Sequence, residues 1–324
     1  MPISGPSSYP RTIDEFTSHW AGANAQPQAG AGIVLKGGIA QSYLVSMGNN
    51  LGTVRDQVAG MGVEDTLAGE QLVMLVTRLQ VRMVEFNARV RADFEGTAYA
   101  RSLPLAFTVA EGEGLVRDAL RKVSLLWTKI DAISPAPAGV ALPLVLMGNY
   151  DRASFDTDRQ SLREAFGALS AAEVNLRLAR EQRNDAQDLI YAVLKAYRAK
   201  LPSVFPAGHA VLESMPVLRA APGHTPDAVT AAVVWDVPAA QAKVTWTASP
   251  EADIARYEVR GASGESYVAA DETVLATVAP GDARELLTDF ALPTAGLTAG
   301  FKVYVVLPTG NERGSEAVYV TRPA

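Results

Sequence analysis

The sequence predicts a multidomain α and β protein, in which a duplicated long-helix bundle is followed by a β-sandwich. Three observations lead to this prediction. Apolar residues recur at three- and four-residue steps before residue 217, a pattern of residue types repeats at an offset of 111, and the apolar period changes to two after residue 228. The bundle is expected to be pseudo-two-fold and to contain about four helices.

The internal repeat is clearest where each long apolar stretch ends. In both copies an aromatic residue, Phe86 or Tyr197, precedes the pattern Gly-x-Ala-x3-Ser-x-Pro, which occupies residues 96–104 and again residues 208–216. Identities that recur in the same order at a nearly fixed offset are the signature of a duplicated structural unit.

The repeat extends upstream to one tryptophan in each copy. Trp20 and Trp127 each lie in a short amphipathic stretch, and a loop rich in Ala, Gly or Pro then leads to an apolar tripeptide at 33–35 or 144–146. Because the two tryptophans are equivalent, we expect them to pack between short and long helices. A platform for stacking a sugar or a peptide is the alternative.

Each copy is predicted to contain a short helix that carries the tryptophan, a loop, a brief extended segment and a long helical stretch. One helix of about 45 residues would be ~68 Å long, and this length suggests antiparallel coiled-coil packing of the two copies. The alternative is a helical hairpin, broken at the glycines of 60–69 or in the polar run 180–185. Asp156 or Asp158 is the expected N-cap region of the second copy. The core positions are predicted to be Leu72, Leu75, Val76, Leu79, Met83, Phe86 and Val90, and Leu162, Phe166, Leu169, Leu176, Ile190, Val193, Leu194, Tyr197 and Leu201.

A linker separates the two parts. Residues 217–230 have the sequence VLRAAPGHTPDAVT, whose prolines, glycine and short polar residues favour irregular structure. The predicted domains are a duplicated helical domain at 1–217 with copies at about 10–105 and 114–217, a linker at 218–228, and a β-sandwich at 229–324.

The last part of the chain contains short segments of alternating polarity separated by turn signals, as in a sandwich. The predicted strands lie at 244–247, 254–260, 273–278, 285–290, 301–307 and 317–321. A resemblance to fibronectin type III domains rests on Trp246, Pro250, Tyr257, Val259, Leu297, Gly300, Phe301, Val303, Val305 and 314–315. It covers roughly 229–323 and implies a spacer or recognition module. Phe301 stands nearest the corner tyrosine of that family and lacks its hydroxyl.

Composition limits the classes of partner. Residues 1–224 carry no net charge, and the whole excess of −6 lies in residues 225–324. A nucleic-acid partner is therefore not expected, and the neutral helical part is better suited to packing against protein. No apolar run approaches the ~18 residues of a membrane span. No Sec leader is visible, so we expect a cytoplasmic protein or one exported by a non-Sec route. The chain has no cysteine, which excludes disulfides and thiolate sites.

The sequence contains no motif with catalytic or metal-ligand spacing, so no catalytic, cofactor-binding or metal residues are predicted, and no cofactor. The candidate residues have simpler interpretations as packing, loop or helix-start residues. They are His19, His209 and His224, the glycines Gly30, Gly32, Gly37 and Gly38, Glu111 and Glu113, and Asp156 and Asp158, which could otherwise coordinate a cation. Residues 310–314 are predicted to form an exposed hairpin tip.

These features favour a structural, self-assembling subunit of a homo-oligomeric filament, tube, sheath or shell. The helical region would make the subunit contacts, and the acidic sandwich would lie on the surface. The alternative is an adhesion or recognition module that binds a protein or glycan through the sandwich. An enzyme is the least favoured class, since no paired carboxylates occur at a recognisable spacing.

Overall fold

The computed structural model describes residue 3 and residues 5–107, 111–219 and 223–323. Its helices precede its strands, as the sequence predicts. The helices are α1 (Tyr9–Asn24), α2 (Gln41–Asp93), α3 (Ala98–Arg101), α4 (Glu113–Asp131), α5 (Arg152–Lys200) and α6 (Ala210–Glu213). None of the helices in the described part of the chain combines the length and apolar composition that a bilayer span requires.

The two long helices are continuous. α2 has 53 residues and α5 has 49, so the single-helix prediction is confirmed and the hairpin alternative is wrong. A helix-interior glycine costs about 1 kcal/mol relative to alanine. The glycines at 60–69 therefore weaken α2 without ending it. Buried residues resume on both sides of this segment, at Val58 before it and at Val76 after it.

Helix α5 begins earlier than predicted. The Oδ1 atom of Asp151 accepts a hydrogen bond of 2.8 Å from the backbone N–H of Ser154, which is the N-cap arrangement. Asp156 and Asp158 lie inside the first two turns, so the prediction that one of them caps the helix is wrong. The apolar periodicity predicts a buried face that starts at Leu162, whereas in the structure Phe155 is already buried.

The chain divides into two compact units. The second unit, Glu64–Asn175, contains the end of α2, helices α3 and α4, and the start of α5. Its core is formed by Val76, Leu79, Met83, Phe86, Val90, Phe94, Phe107, Val116, Leu120, Val123, Leu126, Trp127, Ile130, Leu144, Leu146, Tyr150, Phe155 and Leu162. The short helix α4 thus packs its apolar face against both long helices.

The first unit combines Met1–Val63 with Leu176–Ala324. It contains α1, the start of α2, the end of α5, α6 and the sandwich. Its helical core is formed by Tyr9, Ile13, Phe16, Trp20, Ala23, Ile33, Leu35, Leu44, Leu51, Ile190, Val193, Leu194, Tyr197, Leu201, Phe205, Val211 and Leu218. The domain boundary at 218–228 stays a prediction, and residues 220–222 of that segment lie outside the described residues.

The same local contacts recur in both repeat copies. They fix the loop after each tryptophan and the turn after each long helix. Three pairs of equivalent hydrogen bonds, each 2.8 Å long, recur. Leu35 N–H donates to Ile39 O and Leu146 N–H to Tyr150 O, while Ile33 N–H donates to Asn24 Oδ1 and Leu144 N–H to Asp131 Oδ1. In the turn, Ser102 Oγ–H donates to Ala98 O and Ser214 Oγ–H to Ala210 O. The glycine of each Gly-x-Ala pattern has a positive φ, +72° at Gly96 and +78° at Gly208. An L side chain rarely adopts this conformation.

The sandwich has two antiparallel sheets. Its strands are β1 (Ala231–Asp236), β2 (Gln241–Trp246), β3 (Arg256–Ser263), β4 (Thr273–Val278), β5 (Glu285–Thr288), β6 (Thr298–Val306), β7 (Glu312–Gly314) and β8 (Val318–Thr321). One sheet has the order β1-β2-β5; the other has the order β4-β3-β6-β7, with β8 also paired to β6. This two-sheet arrangement resembles a fibronectin type III fold. Strands β1 and β7 were not predicted.

Candidate interaction surface

The two repeat tryptophans are completely buried. Trp20 stacks on Tyr197 with ring centroids 4.4 Å apart, and Trp127 stacks on Phe86 at 5.0 Å. Each indole N–H donates a 3.1 Å hydrogen bond to a carbonyl of the apolar tripeptide that follows. With both ring faces and the polar edge occupied by protein, the tryptophans pack the core and offer no stacking platform.

His19 connects three helices. Its Nδ1 lies 2.8 Å from the hydroxyl of Tyr197 on α5, and its Nε2 lies 2.9 Å from the carbonyl of Val211 on α6. Burial lowers the pKa of His19, and the positive charge of Arg198 adds to this effect. The neutral ring satisfies both partners if Nε2–H donates to the carbonyl and Nδ1 accepts from the phenol.

The other two histidines stabilise local structure. His209 precedes α6, and its Nδ1 accepts a 3.2 Å hydrogen bond from the N–H of Val211. His224 lies 3.0 Å from the carboxylate of Glu251, and this hydrogen bond raises the pKa of the imidazole. The three histidines therefore do not converge on one site.

Protein groups already occupy the aspartates considered as cation ligands. Asp158 accepts a 2.6 Å hydrogen bond from the hydroxyl of Tyr150 and pairs with Arg78 at 3.1 Å. Asp156 accepts a 2.7 Å hydrogen bond from Ser124. Within the described ranges, no group of three or more His, Asp and Glu side chains could hold a metal ion.

The sandwich carries a buried ionic cluster that the sequence analysis missed. Arg260 on β3 is 1% exposed and pairs with Glu258 at 2.7 Å, Glu272 at 2.9 Å and Glu312 at 2.6 Å. Burial lowers the pKa of Arg260, but the three carboxylates have the larger, opposite effect and raise the pKa above its ordinary value. Glu312 belongs to β7, so the prediction of an exposed tip at 310–314 is wrong. The pairing of β7 with β6 draws this carboxylate inward.

Helical residues of the same unit cover this face of the sandwich. The hydroxyl of Ser7 donates a 2.9 Å hydrogen bond to the carboxylate of Glu272, and Arg55 on α2 donates one of 3.1 Å to the carbonyl of Glu272. Arg11 on α1 lies 3.8 Å from Glu258. At these residues the outer face of the larger sheet therefore contacts the helical part of the same chain.

Two arginines of α5 also contact the sandwich, and these contacts extend the junction between the sandwich and the helices. Arg180 donates a 2.8 Å hydrogen bond to Asp271, and Arg183 pairs with the same carboxylate and donates one of 2.7 Å to the carbonyl of Ala270. The side chain of Arg183 is 3% exposed, against 35% for Arg180. The polar run 180–185 therefore contacts the sandwich and does not interrupt α5.

An exposed apolar surface lies on α2 in the second unit. We call it the α2 stripe, and it consists of Leu67, Glu70, Met74, Thr77, Val81, Val84 and Ala88, all exposed. These positions alternate three- and four-residue steps, which is the spacing of a coiled-coil seam. The side chains of Met74, Val81 and Val84 are 67%, 53% and 53% exposed.

The second repeat copy provides an internal comparison for this surface. At the offset of 111, Met74, Thr77 and Val84 correspond to Asp185, Asp188 and Lys195 on α5, which are also exposed. A solvated helix face is ordinarily polar, as these residues of α5 are. The fold thus accepts charges at these positions, and it does not itself require the apolar residues of the α2 stripe.

No known family model matches the chain, and no curated protein does. Among solved structures, a Fn3-like protein from Clostridium thermocellum is 19% identical, with a TM-score of 0.24, covering 31% of this chain and 97% of that one. The 6th fibronectin type III domain of the human fibronectin type III domain containing protein 3 is 20% identical, with a TM-score of 0.25, covering 32% and 92%.

A pectate lyase, PelI from Erwinia chrysanthemi, also matches a limited part of the chain. Its structure with tetragalacturonic acid is 19% identical, with a TM-score of 0.25, over 29% of this chain. The present chain spans 28% of the length of that enzyme. Likenesses of this size carry no argument about activity.

Proposed function

We propose that this chain is a structural subunit that assembles with copies of itself into a homo-oligomer such as a filament, tube, sheath or shell. The helical region supplies the subunit contacts, and the sandwich lies on the surface of the assembly. The observation that supports this proposal is the exposed apolar α2 stripe, in which Met74, Thr77 and Val84 stand where α5 has the charged residues Asp185, Asp188 and Lys195. The proposal assigns the chain no enzymatic activity.

The energetic reason is the cost of leaving apolar side chains in water. Full burial of a side chain such as Met or Val is worth about 1.5–3 kcal/mol. Met74, Val81 and Val84 are each more than half exposed in the single chain, so a partner that covers them recovers part of that free energy. A seam with heptad spacing covers such residues when it packs against another helix.

The junction between sandwich and helices supports the same proposal. Arg183, Arg260 and Glu272 are buried where the two meet within the first unit. A module held by buried ion pairs keeps a defined position on its scaffold, as a repeating lattice requires, whereas a tethered recognition module needs no such contacts.

Light scattering of the purified chain across concentration and salt, with negative-stain electron microscopy, tests the proposal. We expect particles larger than one 34.3 kDa chain and of regular shape. A monodisperse monomer under all conditions would contradict it. That result would favour the recognition module, to be tested by screening the sandwich against proteins and glycans.

A further inference from the structure

We infer that the partner of the α2 stripe is the α2 stripe of a second copy, packed antiparallel about a two-fold axis level with residue 79. This inference rests on the proposed self-assembly and specifies one of its contacts, because a two-fold contact by itself joins two copies. In this register, Met74 of one copy packs against Val84 of the other, and Thr77 packs against Val81. Both pairs occur twice because the axis repeats them.

The stripe is self-complementary in this direction. Its seven positions, from Leu67 to Ala88, alternate steps of three and four residues throughout, and they extend for ~32 Å along the helix. Residues at such positions mesh as knobs into holes with an equally spaced partner. A second copy always offers that spacing, and a two-fold contact uses the same patch on both chains.

The charge of Glu70 selects the direction. Glu70 is the charged member of the stripe, and a parallel pair would place it beside Glu70 of the second copy in the seam. Like charges held together in a desolvated seam are unfavourable. In the antiparallel register, Glu70 lies instead opposite Ala88 of the second copy. Arg91 of that copy lies opposite Leu67, one turn from Ala88, and brings a positive charge near Glu70; Arg89 already pairs with Asp93 at 2.6 Å. Attraction replaces repulsion at both ends of the seam.

The face of α5 supports the choice of the α2 stripe over other helix surfaces. Its equivalent positions Asp185, Asp188 and Lys195 would place charges in a seam, where they lose hydration. Lys195 does not form an ion pair with any residue in the described part of the chain. The α5 face therefore serves as the matched control for the inference.

The absence of native cysteine permits a direct test. Met74→Cys and Val84→Cys chains, one carrying a size tag, are oxidised gently, each alone and mixed in equal amounts. In the inferred register the two cysteines of the mixed pair face each other. Two copies of the same cysteine lie about 15 Å apart along the axis, too far for a disulfide, which needs Cα atoms within about 7 Å.

We expect a disulfide in the mixture and little in either protein alone, with no disulfide between Asp185→Cys and Lys195→Cys chains. Self-linked Met74→Cys or Val84→Cys would overturn the inference in favour of a parallel pair. No disulfide in any sample, while light scattering still shows an oligomer, would reject the α2 stripe as the contact and leave the proposed function standing. A monomer by light scattering would reject both.

Discussion

Trp20 of the first repeat copy stacks on Tyr197 of the second copy, with ring centroids 4.4 Å apart and 20° between the ring planes. The exchange is reciprocal, since Trp127 of the second copy stacks on Phe86 of the first copy at 5.0 Å. Each short helix therefore completes its core with the long helix of the other copy. The duplication is thus part of how the chain folds, because neither copy holds a complete set of core residues.

We expect Trp20→Ala to lower the free energy of unfolding by about 3–5 kcal/mol, because it leaves a large cavity beside Tyr197. Trp127→Ala should fall in the same range. Tyr197→Phe keeps the stacked ring and removes only the hydrogen bond to His19, so a loss of about 1 kcal/mol is expected. Urea unfolding followed by circular dichroism measures all three. A loss of less than about 1 kcal/mol for Trp20→Ala would show that the stacked pair does not stabilise the fold.

His19 should make the fold sensitive to acid. Burial lowers its pKa in the folded chain below the ordinary value of 6.5. Between these two pKa values the unfolded chain binds more protons, so stability decreases as the pH falls from 6.5 through the folded pKa. The stabilising contribution is complete above pH 6.5.

The measurement is the free energy of unfolding of the wild type and His19→Gln from pH 8 to pH 5. We expect the advantage of the wild type to shrink as the pH falls. His224→Gln is the control. Glu251 raises the pKa of His224, which is exposed, so the pH dependence of its contribution to stability is opposite to that of His19. Parallel curves for the wild type and His19→Gln would exclude the assigned role.

The two arginines that share Asp271 should differ in their contribution to stability. Arg183→Ala removes the buried partner and its hydrogen bonds to Asp271 and the carbonyl of Ala270, and should cost about 1.5–3 kcal/mol. Arg180→Ala removes a side chain that is 35% exposed and should cost less than about 1 kcal/mol. Thermal unfolding of both variants gives the comparison. Equal costs would mean that burial does not determine the strength of this junction.

The sequence predicts most of the fold because its dominant signals are periodic. The three- and four-residue recurrence around Phe86 and Tyr197 identifies the buried faces of α2 and α5, and the repeat explains why they are alike. Alternation around Val259 identifies the sandwich core. These signals depend on neighbours along the chain, which a sequence contains.

The missed features depend on partners distant in sequence. Alternation places Glu258 and Arg260 on the face of β3 opposite the core, which a sequence alone would assign to solvent. Their burial follows from Ser7 and Glu312, which only the folded chain brings close. The α2 stripe does leave a signal in the sequence, because Met74 and Val84 fall outside the core face and stand where α5 has Asp185 and Lys195. Comparison of the two repeat copies reveals it.

The central claim is that the α2 stripe holds copies of this chain together. The most direct measurement is the mass by light scattering of a variant that receives the α5 residues at equivalent positions, Met74→Asp/Thr77→Asp/Val84→Lys. The control is Asp185→Asn/Asp188→Asn/Lys195→Gln, which changes the equivalent face of α5. We predict that the first variant folds but forms smaller particles than the wild type, whereas the control assembles like the wild type. A stripe variant that assembles as the wild type does would contradict the claim.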